Sequence, residues 1–78
     1  MEKYLNLKGN SSIIEYAIGE NYIDVKYNSV PIIYRYSYLS AGIDNVDKMK
    51  ELAKKGYGLQ TYIDDNCKYQ YEMKIYYQ

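Results

Sequence analysis

Tyr34, Tyr36 and Tyr38 stand two residues apart, and no other part of the sequence has a clearer capacity for binding chemistry. In an extended strand alternate side chains share one face and lie ~6.6 Å apart along it. That is close to twice the thickness of an aromatic ring, so flat groups could stack on such a ladder. For nucleic-acid bases the stacking contributes ~1–3 kcal/mol each. The same rings could instead cover helices, as half-buried aromatics do in small cores. A buried phenol needs a hydrogen-bond partner that phenylalanine would not need, which favours at least one ring in contact with water. Arg35 sits between them in sequence and points to the opposite face. It could meet a phosphate above the ladder only across a dimer interface.

A second candidate is Lys54-Lys55-Gly56-Tyr57-Gly58, just ahead of Leu59. A Gly-x-Gly before a helix can turn successive backbone N–H groups towards an anion, and the helix N-terminus favours negative charge. The structural alternative is a glycine helix stop followed by a tight turn between two helices. The other helix start, near Gly42, carries Asp44 and Asp47, which repel phosphate. If an anion binds, it is therefore expected near Gly56 and Gly58.

Catalysis has little to work with. There is no histidine, the usual acid/base and metal-ligating residue. Cys67 has no histidine to make it a thiolate, and its place on an apolar helix stripe suits a small core residue. Asp64 and Asp65 are neighbours on a helix and point ~100° apart, so they cannot act as a carboxylate pair. Glu15 and Asp24 could approach across a hairpin, with nothing nearby to raise a carboxyl pKa. The expectation is a binding protein with no catalytic residues, no cofactor and no metal.

Composition bounds the partners. Ten basic and ten acidic residues cancel, which weakens a claim of strong polyanion binding. The chain has thirteen tyrosines and no Phe or Trp. An AT-rich genome would explain that count, though not where the tyrosines fall. Seventy-eight residues make one domain, and a chain this short buries only ~60% of its unfolded surface. Small domains offset this with disulfides, metals or self-association. A single cysteine and no Cys/His cluster leave the last, so a homo-oligomer is expected. No stretch approaches the ~20 apolar residues of a membrane span. The first residues lack a signal-peptide pattern, and the cytoplasm is the expected compartment.

Residues 1–10 end in a turn-type cluster, Gly9-Asn10-Ser11-Ser12, and read as a loosely held arm. Residues 13–18 and 22–27 form a hairpin, with Ile23, Val25 and Tyr27 on one face. Pro31 opens a third strand running from Ile32 to Leu39, its Tyr-x-Tyr-x-Tyr face opposed to Ile33, Arg35, Ser37 and Leu39. Then the period changes. Val46, Met49, Leu52 and Ala53 mark an amphipathic helix, with Asp44 as N-cap and Gly56 as stop. Leu59, Tyr62, Ile63 and Cys67 mark a second, to about residue 68. Residues 69–78 alternate as a strand yet contain helix formers, and read as a short extended tail where another subunit could pair. The expected fold is α+β: a three-stranded antiparallel sheet followed by two helices, in one domain with its core over residues 11–68.

The β-β-β-α-α order resembles the KTSC family, small domains found alone in bacteria and phages and at the C-terminus of some lysyl-tRNA synthetases. Ser11-Ser12-Ile13, Tyr34-Arg35-Tyr36, Gly56-Tyr57-Gly58-Leu59 and Ile63 carry the likeness, over roughly residues 11–70. RNA binding has been suggested for that family, and the resemblance implies an RNA-binding module as one expectation. The others are a nucleotide-type small ligand, sequestered by stacked tyrosines and the Gly/Lys turn, and a homo-oligomeric interaction module.

Overall fold

The alternating segments build a meander that the helices then cover on one side. The computed structural model describes residues 1–77. Strands β1 (Glu2–Lys3), β2 (Ile13–Ile18), β3 (Tyr22–Tyr27) and β4 (Ile32–Ser37) come first. Helices α1 (Tyr38–Ala41), α2 (Ile43–Lys55) and α3 (Leu59–Asn66) follow, and β5 (Met73–Tyr76) ends the fold. Every strand pairs antiparallel with its neighbour in the order β1-β2-β3-β4-β5. The class is α+β with helices after the main strands, but the sheet has five strands rather than three. The two extra ones come from the segments expected as arm and tail, and each pairs along an edge of the central hairpins.

Period-two alternation makes one sheet face apolar. Ile23 and Val25 of β3 are completely buried there, and the register sets Tyr36 opposite Ile23 and Tyr34 opposite Val25. Val46, Met49, Leu52 and Ala53 of α2, with Leu59 and Ile63 of α3, close the core over this face. Each of these side chains except Ala53 contributes ~1.5–3 kcal/mol by leaving water.

Three boundaries differ from the sequence reading. Strand β4 stops at Ser37 rather than Leu39, because Ser37 and Ser40 cap each other. The Ser37 hydroxyl accepts from the Ser40 N–H at 3.0 Å, and the Ser40 hydroxyl accepts from the Ser37 N–H at 3.1 Å. This reciprocal cap starts a helical turn at Tyr38. Helix α2 has Gly42, not Asp44, as its N-cap, and Asp44 falls in its first turn. Helix α3 ends at Asn66, short of residue 68. The stop at Gly56 is as read: its φ is 87° and its N–H bonds the Leu52 carbonyl at 3.0 Å.

On the uncovered face, Arg35 donates to both carboxylate oxygens of Asp24, at 2.8 and 3.0 Å, and lies 4.0 Å from the centre of the Tyr22 ring. Asp24 is 8% exposed although it faces away from the helices, because this pair covers it. Removing one partner leaves the other charge half-buried and alone. Arg35→Ala should therefore cost about 2 kcal/mol, between the values for surface and buried pairs. Glu15→Ala, which breaks the exposed contact with Lys26, should cost below about 0.5 kcal/mol. Urea midpoints compared at constant m-value check both. Among the described residues, no helix is long and apolar enough to cross a membrane.

Candidate functional site

The tyrosines of the expected ladder part company. Tyr36 is 2% exposed, and its hydroxyl donates to the Lys68 carbonyl at 3.3 Å. Tyr38, on α1, donates instead to Asp47 Oδ1 at 2.6 Å, while its ring faces the Lys50 ammonium at 4.9 Å. Tyr34 and Tyr36 keep their strand positions and line one cavity, Tyr34 as the more exposed of the two. An open three-rung platform is therefore not formed. Tyr38 has left the strand, and the face that Tyr34 and Tyr36 share is the one the helices cover.

A different aromatic group replaces it. Tyr27, Tyr34, Tyr36 and Tyr71 meet at one end of the sheet. Tyr34 lies edge-to-face with Tyr27 (centroids 5.7 Å, planes 87° apart) and with Tyr71 (5.1 Å, 65°), and Tyr36 with Tyr71 (6.3 Å, 84°). Such T-shaped pairs add about 0.5–1.5 kcal/mol each beyond their burial, so the box is rigid. It forms one wall of a cleft of about 350 Å³ whose other wall is α3 with the residues after it. That volume suits a small ligand.

Gln60 and Asp64 face the cleft from α3, and Lys68 and Lys74 from the segments around it. Gln60 is held from behind: its Oε1 accepts from the Ser11 hydroxyl at 2.9 Å and the Ser12 N–H at 2.7 Å. These bonds orient the amide, leaving its NH2 as the end available to a ligand. Lys74 lies over the rings of Tyr71 (5.3 Å) and Tyr34 (6.0 Å). The Tyr71 hydroxyl beside it holds its ammonium above the ordinary lysine range. Burial pushes the Tyr27 and Tyr36 phenols well up, Asp64 and the neighbouring tyrosines adding to the effect. Tyr27 and Tyr36 thus present neutral O–H groups rather than phenolates. Among the described residues no buried side-chain polar atom goes unpartnered, and none of them bonds the Tyr27 or Tyr34 hydroxyl. Those two groups reach solvent in the cleft.

The Gly/Lys turn is a separate place. Gly58, φ 82°, is the N-cap of α3 and supplies no side-chain bond, but the first N–H of α3, at Leu59, donates to the Tyr4 hydroxyl at 3.3 Å. Leu5 packs on Gly56, and the Leu7 N–H bonds the Gly56 carbonyl at 2.8 Å. The N-terminal segment therefore occupies part of what was expected as an anion nest. Lys55 and Lys8 approach the Tyr57 ring, at 6.0 and 5.2 Å, and Lys55 also pairs with Glu51 at 3.3 Å. Lys54 lies with Met1 and Tyr16 beside another hollow. None of Lys54, Lys55, Gly56, Tyr57 or Gly58 lines the tyrosine cleft. Arg35 is committed to Asp24 on the far sheet face.

Sequence reasoning missed Tyr27, Tyr71, Gln60, Asp64, Lys68 and Lys74. For Tyr27 a signal existed: it shares the alternating face of Ile23 and Val25, so antiparallel pairing brings it diagonally to Tyr34. Cys67 is buried, and burial pushes its thiol up, away from reactivity. Among the described residues no group of His, Cys, Asp and Glu is placed to hold a metal. No family model, curated protein or solved structure matches the chain.

Proposed function

We propose that this chain is a non-catalytic binding protein for a nucleotide-type small ligand, and that the tyrosine cleft is the seat. The observation that carries this reading is the rigid Tyr27–Tyr34–Tyr71 box, with two phenols free to the cleft and Lys68 and Lys74 beside it. A base would lie against Tyr34 and Tyr71 and displace the Lys74 ammonium outward to meet phosphate. A cationic ligand fits less well, since Lys74 already supplies a cation to those ring faces.

Tyr34 is half-buried and is not bonded through its hydroxyl, so Tyr34→Ala tests the seat at moderate cost to the fold. Loss of one stacking ring should weaken nucleotide binding by about tenfold to a hundredfold. Isothermal titration with mono-, di- and cyclic nucleotides measures it, and no heat with any of them sinks the reading.

The RNA-binding module implied by the KTSC resemblance has less support. Lys26, Arg35, Lys48, Lys50 and Lys55 each lie within 4.0 Å of a carboxylate. Half of the ten basic groups thus face a carboxylate, two of them sharing Glu51, which lowers the positive charge free to meet a long polyanion. The interaction-module reading has one favourable feature. Among the described residues no further strand bounds the outer edge of β5, and Tyr76 on it is 69% exposed.

A further inference from the structure

We propose that the cleft selects guanine over the other bases, through an edge-reading pair on α3 made of Gln60 and Asp64. The inference rests on the nucleotide reading above and names the base within it. Gln60 and Asp64 are four residues apart on a regular helix, so their side chains stand side by side, ~5–6 Å apart at Cβ. Both line the tyrosine cleft. A base stacked in the box would therefore present its edge to α3.

The chemistry of that pair has a fixed polarity. Ser11 and Ser12 engage the Gln60 carbonyl oxygen from behind, so towards the ligand Gln60 is a donor. Asp64, one turn on and exposed, is acceptor-only and has two oxygens to offer. Read along the helix the pair is donor, acceptor, acceptor. The Watson–Crick edge of guanine carries O6, N1–H and the N2 amino group, which is acceptor, donor, donor. The two edges match at every position. Adenine in the same pose sets its N6 amino group against the Gln60 NH2 and its bare N1 against the carboxylate, both repulsive. Uracil offers one donor to Asp64 and then a carbonyl. Hypoxanthine lacks only the N2 amino group and should fall in between.

Neither residue belongs to the apolar core, so both can be changed in the folded protein. A well-formed bidentate contact discriminates between bases by about fivefold to a hundredfold. Titration calorimetry of the intact chain with guanosine, inosine, adenosine and uridine 5′-monophosphates should show that order at its start, with guanosine at least about tenfold tighter than adenosine. Asp64→Ala should remove the preference, and binding of adenosine monophosphate should hold or improve. Gln60→Glu keeps the acceptor for Ser12 while turning the outward donor into an acceptor. It should shift preference towards adenine, whose N6 amino group then has a partner. Circular dichroism confirms that each variant is folded. Adenosine monophosphate binding as tightly as guanosine monophosphate, or an unchanged preference in Asp64→Ala, overturns the guanine assignment and leaves the nucleotide seat standing. No binding of any of the four overturns both.

Discussion

Tyr36→Ala is expected to lower stability by about 3–5 kcal/mol, a large part of what a domain of this size possesses. Tyr36 is 2% exposed and packs between β3, Tyr71 and the chain after α3. Truncation leaves a cavity that rigid strands on both sides cannot fill. The aromatic contact with Tyr71 and the hydroxyl bond to the Lys68 carbonyl go with it. Tyr36→Phe keeps the ring and forfeits only that 3.3 Å bond, at about 0.5–1 kcal/mol. Thermal unfolding separates the two: for a domain of this length each kcal/mol moves Tm by roughly 4–8 °C. A Tyr36→Ala protein melting within a few degrees of the parent would mean the ring is not a core residue. The same loss makes Tyr36→Ala useless as a probe of ligand or oligomer, since unfolding removes both. Tyr34 is the ring for that purpose.

What the chain sequence made legible follows the range of each signal. Ile23 and Val25 alternate, and Val46, Met49 and Leu52 recur at helical spacing, so the covered sheet face and α2 could be read locally. The stop of β4 was also written locally, in Ser37 and Ser40, but the β pattern of Tyr34-Arg35-Tyr36-Ser37-Tyr38 masked it. Strand β1 is two residues long and shows no period at all. Its existence depends on Tyr16 and Glu15 across the ladder. Strand β5 could be read as extended, yet its pairing with β4 depends on where α3 returns the chain. The site is of that second kind. Gln60 and Asp64 look like any polar residues on a helix until tertiary packing turns them to the tyrosine cleft. The Gly56–Gly58 turn looked open because the hydroxyl that meets it comes from Tyr4, far away in sequence.

Tyr4→Ala is the second large loss expected, about 3–5 kcal/mol, from a segment that composition alone marks as a loose arm. Tyr4 is 2% exposed, its N–H bonds the Ile14 carbonyl at 2.8 Å, and its hydroxyl accepts the first N–H of α3. It therefore fills part of the core and caps a helix whose own N-cap, Gly58, has no side chain to do so. Tyr4→Phe isolates the cap. Leaving that N–H buried without a partner should cost about 1 kcal/mol. Burial pushes the Tyr4 phenol above its ordinary value, with the Leu59 N–H opposing, so the hydroxyl stays protonated through neutral pH and the cap does not depend on pH there. Thermal melts should show a drop of roughly 15–30 °C for Tyr4→Ala and about 5 °C for Tyr4→Phe. A shift below about 3 °C for Tyr4→Ala would return the segment to the status of a dispensable arm. Function should follow stability in one particular way. Because α3 holds Gln60 and Asp64, an uncapped α3 should exchange its first amides faster and hold a nucleotide less tightly in Tyr4→Phe, even at temperatures where the domain remains folded.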